Sequence, residues 1–123
     1  MRTIKGFLVN EDKAEMVEIE EKLQSYYDVL NCDCIDVAVR EIDGKEFDII
    51  CDDEGLFKQD QIVTAVNEAM QPQLVGAILV VQHDGQGDFQ SLTDGEVEIV
   101  SNRVVQYIDM AKGKIRPVLV LDN

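Results

Sequence analysis

The sequence predicts an α+β fold, one domain over residues 1–123, with a mixed, mostly antiparallel sheet of about five to six strands and about three helices. Three observations predict it. Several short runs alternate apolar and polar residues with a period of two. Other stretches carry apolar residues at helical spacing. Turn formers separate the two kinds, giving the order β-β-α-β-β-α-β-α-β.

The elements follow in order. "TIKGFLV" (3–9) is apolar and partly β-branched, a strand. "NEDK" (10–13) is a turn. In "EMVEIE" (15–20), Val17 and Ile19 face one way and Glu18 and Glu20 the other, completing a hairpin. Leu23, Tyr26, Tyr27 and Leu30 then share one face of a short helix. "CDCIDVAVREI" (32–42) puts Ile35, Val37 and Val39 on one face, with Asp36 and Arg40 away from it. "DG" (43–44) signals a tight hairpin into "KEFDIICD" (45–52), where Phe47, Ile49 and Cys51 share a face. "DDEG" (52–55) is a turn.

"QDQIVTAVNEAM" (59–70) places Ile62, Val66 and Ala69 on a helical face, with Asp60 as a cap and Pro72 beyond the end. "GAILVVQ" (76–82) is apolar on both parities, the pattern of a central strand covered on both faces. "DGQGDF" is loop. Thr93 and Glu96 form a capping box, and Val97, Val100, Val104, Ile108 and Ala111 continue an amphipathic helix that "KGK" ends. "IRPVLVLD" (115–122) is a last strand, placed at an edge because Pro117 has no N–H to give.

Charge bounds the function. Twenty-five acids against eleven bases give −14. Residues 1–60 hold 17 of those acids and 7 of the bases. Such a field repels phosphate, so direct nucleic-acid binding and attachment to anionic membrane are not expected. No apolar run reaches the roughly 18 residues of a transmembrane helix. The N-terminal apolar run is too short for a signal peptide. These readings, with an odd count of three cysteines, place the protein in the cytoplasm with reduced thiols.

No metal, cofactor or catalytic set is expected. Cys32, Cys34, Cys51 and His83 lack the C-x2–4-C spacing of a structural zinc site, and strand parity keeps the sulfurs apart. Asp84, Gln86 and Asp88 begin like a calcium loop, but Phe89 and Gly95 stand where Gly and Glu are required. His83 is the only neutral-pH base of the usual kind, and Ser91 is eight residues away. "GQGDF" lacks the third glycine of a phosphate cradle and is followed by acids. What remains are two acidic clusters, Glu11, Asp12, Glu15 and Glu18 in the first hairpin and Asp52, Asp53 and Glu54 after the fifth run. They are either a solvated, aggregation-resistant edge or a surface that imitates a phosphate backbone.

"FDIICDDEGL" followed by "VGAILVVQHDGQGDFQSLTDGEVE" resembles the domain of unknown function 3846 family, small proteins of bacteria, phages and conjugative elements. The matching positions are Asp53, Glu54 and Gly55 in a turn, then Gly87, Asp88, Phe89, Ser91, Leu92, Thr93 and Asp94 in the loop. The resemblance spans about residues 2–100. The Pro and Asn-Arg pair that often follow that turn in the family are missing from "KQDQIVTAVNEAM". The resemblance implies no reaction or cofactor. It implies a setting, accessory genes of mobile DNA, many of whose products blunt host defences.

The expectation is therefore a non-enzymatic accessory protein whose acidic face binds a protein partner with a basic surface, such as a host defence or nucleic-acid enzyme, as a DNA mimic. The alternatives are a small-molecule- or metal-dependent enzyme using the 83–94 loop, and an oligomer built on the C-terminal edge strand.

Overall fold

A computed structural model of the chain describes residues 2–54 and 62–123. Its elements are β1 (Thr3–Val9), β2 (Ala14–Glu20), α1 (Leu23–Leu30), β3 (Ile35–Ile42), β4 (Lys45–Asp52), β5 (Val63–Val66), β6 (Pro72–Val75), β7 (Ile78–His83), β8 (Phe89–Gln90), α2 (Asp94–Asn102), β9 (Val104–Asp109) and β10 (Lys114–Val120). One sheet has the order β2-β1-β7-β4-β3, with β8 on β7; the other has the order β6-β5-β10-β9. Every pairing is antiparallel except β5 with β10. The class is α+β as expected, but with two sheets and, among the described residues, two helices.

The first sheet is buried on both sides. On one face Phe7, Val9, Phe47, Ile49, Ile78 and Val80 pack against Ala65, Leu119 and Leu121 and against Leu92 and Val100 around α2. On the other, Ile4, Leu8, Ile50, Leu79 and Val81 pack against Tyr26 and Leu30 of α1. This explains why β7 is apolar on both parities. Each fully buried Ile, Leu or Val side chain contributes about 1.5–3 kcal/mol of transfer free energy. β1 and β7 meet so closely at Gly6 that a Cβ there would lie 2.9 Å from the Val80 carbonyl oxygen and 2.9 Å from Leu79 Cδ1.

Several turns are built as their residues predict. Asn10 Oδ1 accepts the Asp12 and Lys13 amides at 2.8 and 2.9 Å. Asp43 and Gly44 both take positive φ, +54° and +79°, as a type I′ hairpin requires. The carboxylate of Asp122 accepts both of their amides, at 2.9 and 2.7 Å.

Three expectations are corrected. The helix over 59–70 is not formed where it can be seen. Residues 55–61, including its proposed cap Asp60, lie outside the described residues, and Val63–Val66 is strand β5. Three of those four residues are β-branched, which favours the strand. Asn67 then makes a turn, its Oδ1 accepting the amides of Ala69 and Gln71 at 3.0 and 2.9 Å.

The last helix stops at Asn102 instead of reaching Ala111. Val104 and Ile108 sit at helical spacing from Val100, but Val104, Val105, Tyr107 and Ile108 are all strand formers and make β9. "KGK" is its turn into β10, with Gly113 at φ +65°.

Finally, β10 is an interior strand. Its pairing with β5 covers only Leu119 and Val120, so Pro117 has a ladder neighbour on the β9 side alone, opposite Gln106. The proline keeps its usual exemption within a strand that is interior farther along.

Candidate functional site

The two acidic clusters meet at one end of the first sheet. β1 ends there and β7 begins there, Val9 opposite Ile78. β4 runs antiparallel to β7 and ends there at Asp52. A cleft of about 280 Å³ at this end is lined by Glu11, Asp12 and Asp52, with Asn10, Asn31, Thr64 and Gly76 among its other walls. A second cleft of about 220 Å³ is lined by Asp36, Asp52 and Asp53, with Arg40 in the same wall. Asp52 therefore belongs to both.

The turn that presents Asp53 and Glu54 is held by two backbone donors. The Glu54 amide donates to Asp52 Oδ1 at 2.9 Å, and the Asp53 amide donates to the Cys34 carbonyl at 3.1 Å. Both side chains are exposed, and neither is paired with a cation among the described residues. Glu15 and Glu18 stand apart from the cleft along β2. Glu15 pairs with Lys13 at 2.8 Å, and Glu18 lies opposite Lys5 in register.

Two cations that the sequence pattern hid also reach this end. Lys112 Nζ lies 3.0 Å from Glu11, and Lys114 Nζ lies 3.2 Å from Glu11 and 3.1 Å from Asp12. The two lysines hold the Glu11 carboxyl below the usual carboxylate range, Lys112 contributing most. Asp12 and then Glu11 push the Lys114 ammonium up in return. A helical reading of 93–111 put these lysines at a helix end. Lys-Gly-Lys between two apolar, alternating runs is the hairpin signal that places them correctly.

The 83–94 loop has a mechanical explanation residue by residue. Asp84 Oδ1 accepts the amides of Gln86 and Asp88 at 2.8 and 3.0 Å, closing a turn. These backbone hydrogen bonds lower the Asp84 pKa, Gln86 first. Gly87 takes φ +91°. Asp88 is exposed, and its carbonyl accepts the Asp84 amide at 2.8 Å. Phe89 sets its ring edge-on to Tyr26, centroids 5.5 Å apart. Ser91 Oγ accepts the Lys5 amide at 2.9 Å, and the Leu92 amide donates to the Lys5 carbonyl at 2.9 Å, so the loop grips both polar groups of one β1 residue. Leu92 is buried in the core. Thr93 caps α2 in the predicted capping box: the Glu96 amide donates to Thr93 Oγ1 at 3.1 Å and the Thr93 amide donates to Glu96 Oε1 at 2.8 Å.

His83 is half-buried beside this loop, opposite Phe89 in register. Its Nδ1 lies 3.0 Å from Asp48 Oδ1, and its Nε2 lies 4.0 Å from Glu46. Ser91 Oγ is engaged with the Lys5 amide, and His83 Nδ1 with Asp48. The cysteines do not converge. Cys32 is buried against the α1 side, because β3 begins only at Ile35 and the alternation assumed for 32–34 does not extend that far. Cys34 is exposed. Cys51 packs against the other core face, directly opposite Asp36 in register. Burial, then Asp36 and Asp52, push its thiol up to about 11. Among the described residues, no three His, Cys, Asp or Glu side chains are placed to hold a metal ion. No helix there is long and apolar enough to cross a membrane.

A family model described as Domain of unknown function (DUF3846) matches residues 4–109. No curated protein and no solved structure matches the chain.

Proposed function

We propose, for a chain that belongs to the Domain of unknown function (DUF3846) family, a non-enzymatic role as an acidic cytoplasmic protein-binding module of mobile-element type. Its partner carries a basic surface that otherwise contacts nucleic acid, as a host defence nuclease does, and the module competes with DNA for that surface. The observation that carries this reading is the gathering of Glu11, Asp12, Asp52 and Asp53 around one end of the sheet, in a chain of net charge −14. Asp53 and Glu54 are exposed and unpaired with any described cation, so a partner's Lys and Arg meet their full charge. Lys112 and Lys114 mark the rim, where an incoming base exchanges for an internal one. Glu15 and Glu18 add charge along the β2 edge and raise the rate of encounter more than the affinity.

The test is capture. The immobilised chain retains a DNA-binding protein from bacterial lysate at low salt. The Asp53→Lys/Glu54→Lys variant does not retain it. Equal capture by both chains contradicts the reading.

A ligand-dependent role for the 83–94 loop rests on the His83–Asp48 contact. A thermal-shift panel of divalent metals and nucleotides separates the two. The binding-module reading predicts a flat panel, and a clear shift by one compound moves the function to that loop.

A further inference from the structure

Among the described residues, four strands close the ends of the two sheets, β2, β3, β6 and β9, while the two-residue β8 pairs with β7 off that order. Three are protected in the usual ways. β2 carries Glu15, Glu18 and Glu20, β3 carries Asp36, Arg40 and Glu41, and β6 is four residues long and opens with Pro72. β9, VVQYID, bears no charge until its last residue. Val105, Tyr107 and Ile108 on it are 39%, 43% and 61% exposed, and Ile115, opposite Ile108, is 64% exposed. In a chain this acidic, five uncharged residues on an open edge stand out.

The segment from Arg103 to Asp109 is complementary to itself. When two copies pair antiparallel about a two-fold axis normal to the sheet, opposed residues share a face, so the axis passes through a residue. Centred on Gln106, the pairing sets Val105 against Tyr107 and Val104 against Ile108, each pair occurring twice, and brings Asp109 toward Arg103, the turn residue just before β9. Centred one residue either way, Gln106 faces Val104 or Ile108, and the match of apolar with apolar is lost.

We propose that the chain forms a two-fold dimer through β9 in this register, with a second copy as the occupant of the edge. The two four-stranded sheets become one continuous sheet across the axis. Val105, Tyr107 and Ile108 gain cross-strand apolar partners. Arg103 keeps its contacts with Glu68 and Asp122, Asp109 keeps its contact with Arg116 at 3.6 Å, and the two residues come near one another across the axis. The contact is locally neutral while each molecule carries −14, so salt screening tightens the dimer. Capture of a basic partner responds to salt in the opposite sense.

Light scattering on the full chain tests this. The expected mass is twice the 13.8 kDa of one chain. Val105→Lys and Ile108→Lys, both at exposed positions, each raise the dimer dissociation constant by about tenfold or more, with circular dichroism unchanged. A wild-type mass of 13.8 kDa at concentrations up to about 1 mM overturns the proposal, since the edge is then left for a strand of another protein. A dimer that survives both substitutions overturns it equally.

Discussion

At the scale of single residues, Thr93 and Glu96 show how a loop motif turns out to be structural. Each satisfies the other's backbone amide, and Lys45 Nζ sits 3.4 Å from Glu96 Oε2. Burial pushes the Glu96 carboxyl up, but the hydrogen bonds from Thr93 and Lys45 outweigh it and leave the pKa below its ordinary 4.5. Thr93→Ala is expected to cost about 1 kcal/mol in urea unfolding, the usual worth of a helix cap. A group whose pKa is depressed by folding contributes stability above its unfolded pKa, and that stability is lost as pH falls through the folded value. Glu96, Glu11 and Asp84 all shift downward, so the unfolding midpoint should fall as pH drops below the ordinary carboxylate range. In Glu96→Gln that acid-side slope becomes shallower. An unchanged slope would mean that Glu96 does not contribute to it.

At the scale of elements, Gly6 ties the first sheet together. An added methyl would press on the Val80 carbonyl oxygen, which is backbone and cannot turn aside. Gly6→Ala is therefore expected to destabilise by about 1–3 kcal/mol, as overpacking of a core does, read again by urea unfolding. The elements most legible in the sequence were those whose pattern has one solution. "EMVEIE" alternates cleanly, "DG" demands positive φ twice, and T-x-x-E before an apolar run starts a helix. The illegible ones had two solutions. Val100, Val104 and Ile108 satisfy a helical period, yet β-branching in 104–108 prevails once β10 offers a partner strand. Ile62 and Val66, just before and at the end of β5, do the same. Such conflicts are resolved by tertiary pairing, which local periodicity does not contain. The candidate site divides the same way. Its acids were visible as residues, while their meeting at one end depends on β4 running antiparallel to β7, and the lysines at its rim depend on the β9–β10 hairpin.

At the scale of the whole molecule, charge and topology act together. Acids protect the edges β2 and β3 and gather at the end between them, while the β9 edge, uncharged until Asp109, lies in the other sheet. One molecule thus combines the surface proposed for a basic partner with the edge proposed for its own copy. The three thiols give an independent reading of this arrangement. Cys34 is exposed, Cys32 is buried, and the Cys51 thiol is pushed up to about 11. At neutral pH an alkylating reagent should modify Cys34 first and spare the other two until the fold opens, as intact mass and peptide mapping would record. Early modification of Cys51 would contradict the packing of β4 against the second sheet.

The acidic end is proposed to compete with DNA for a basic partner. The most direct measurement of this is the affinity of the captured partner as a function of salt, with duplex DNA as competitor. Competition with DNA predicts affinity that falls steeply as salt rises, displacement by DNA, and binding by the Asp53→Lys/Glu54→Lys variant too weak to retain the partner even at low salt. Binding that is indifferent to salt and persists in excess DNA would contradict it.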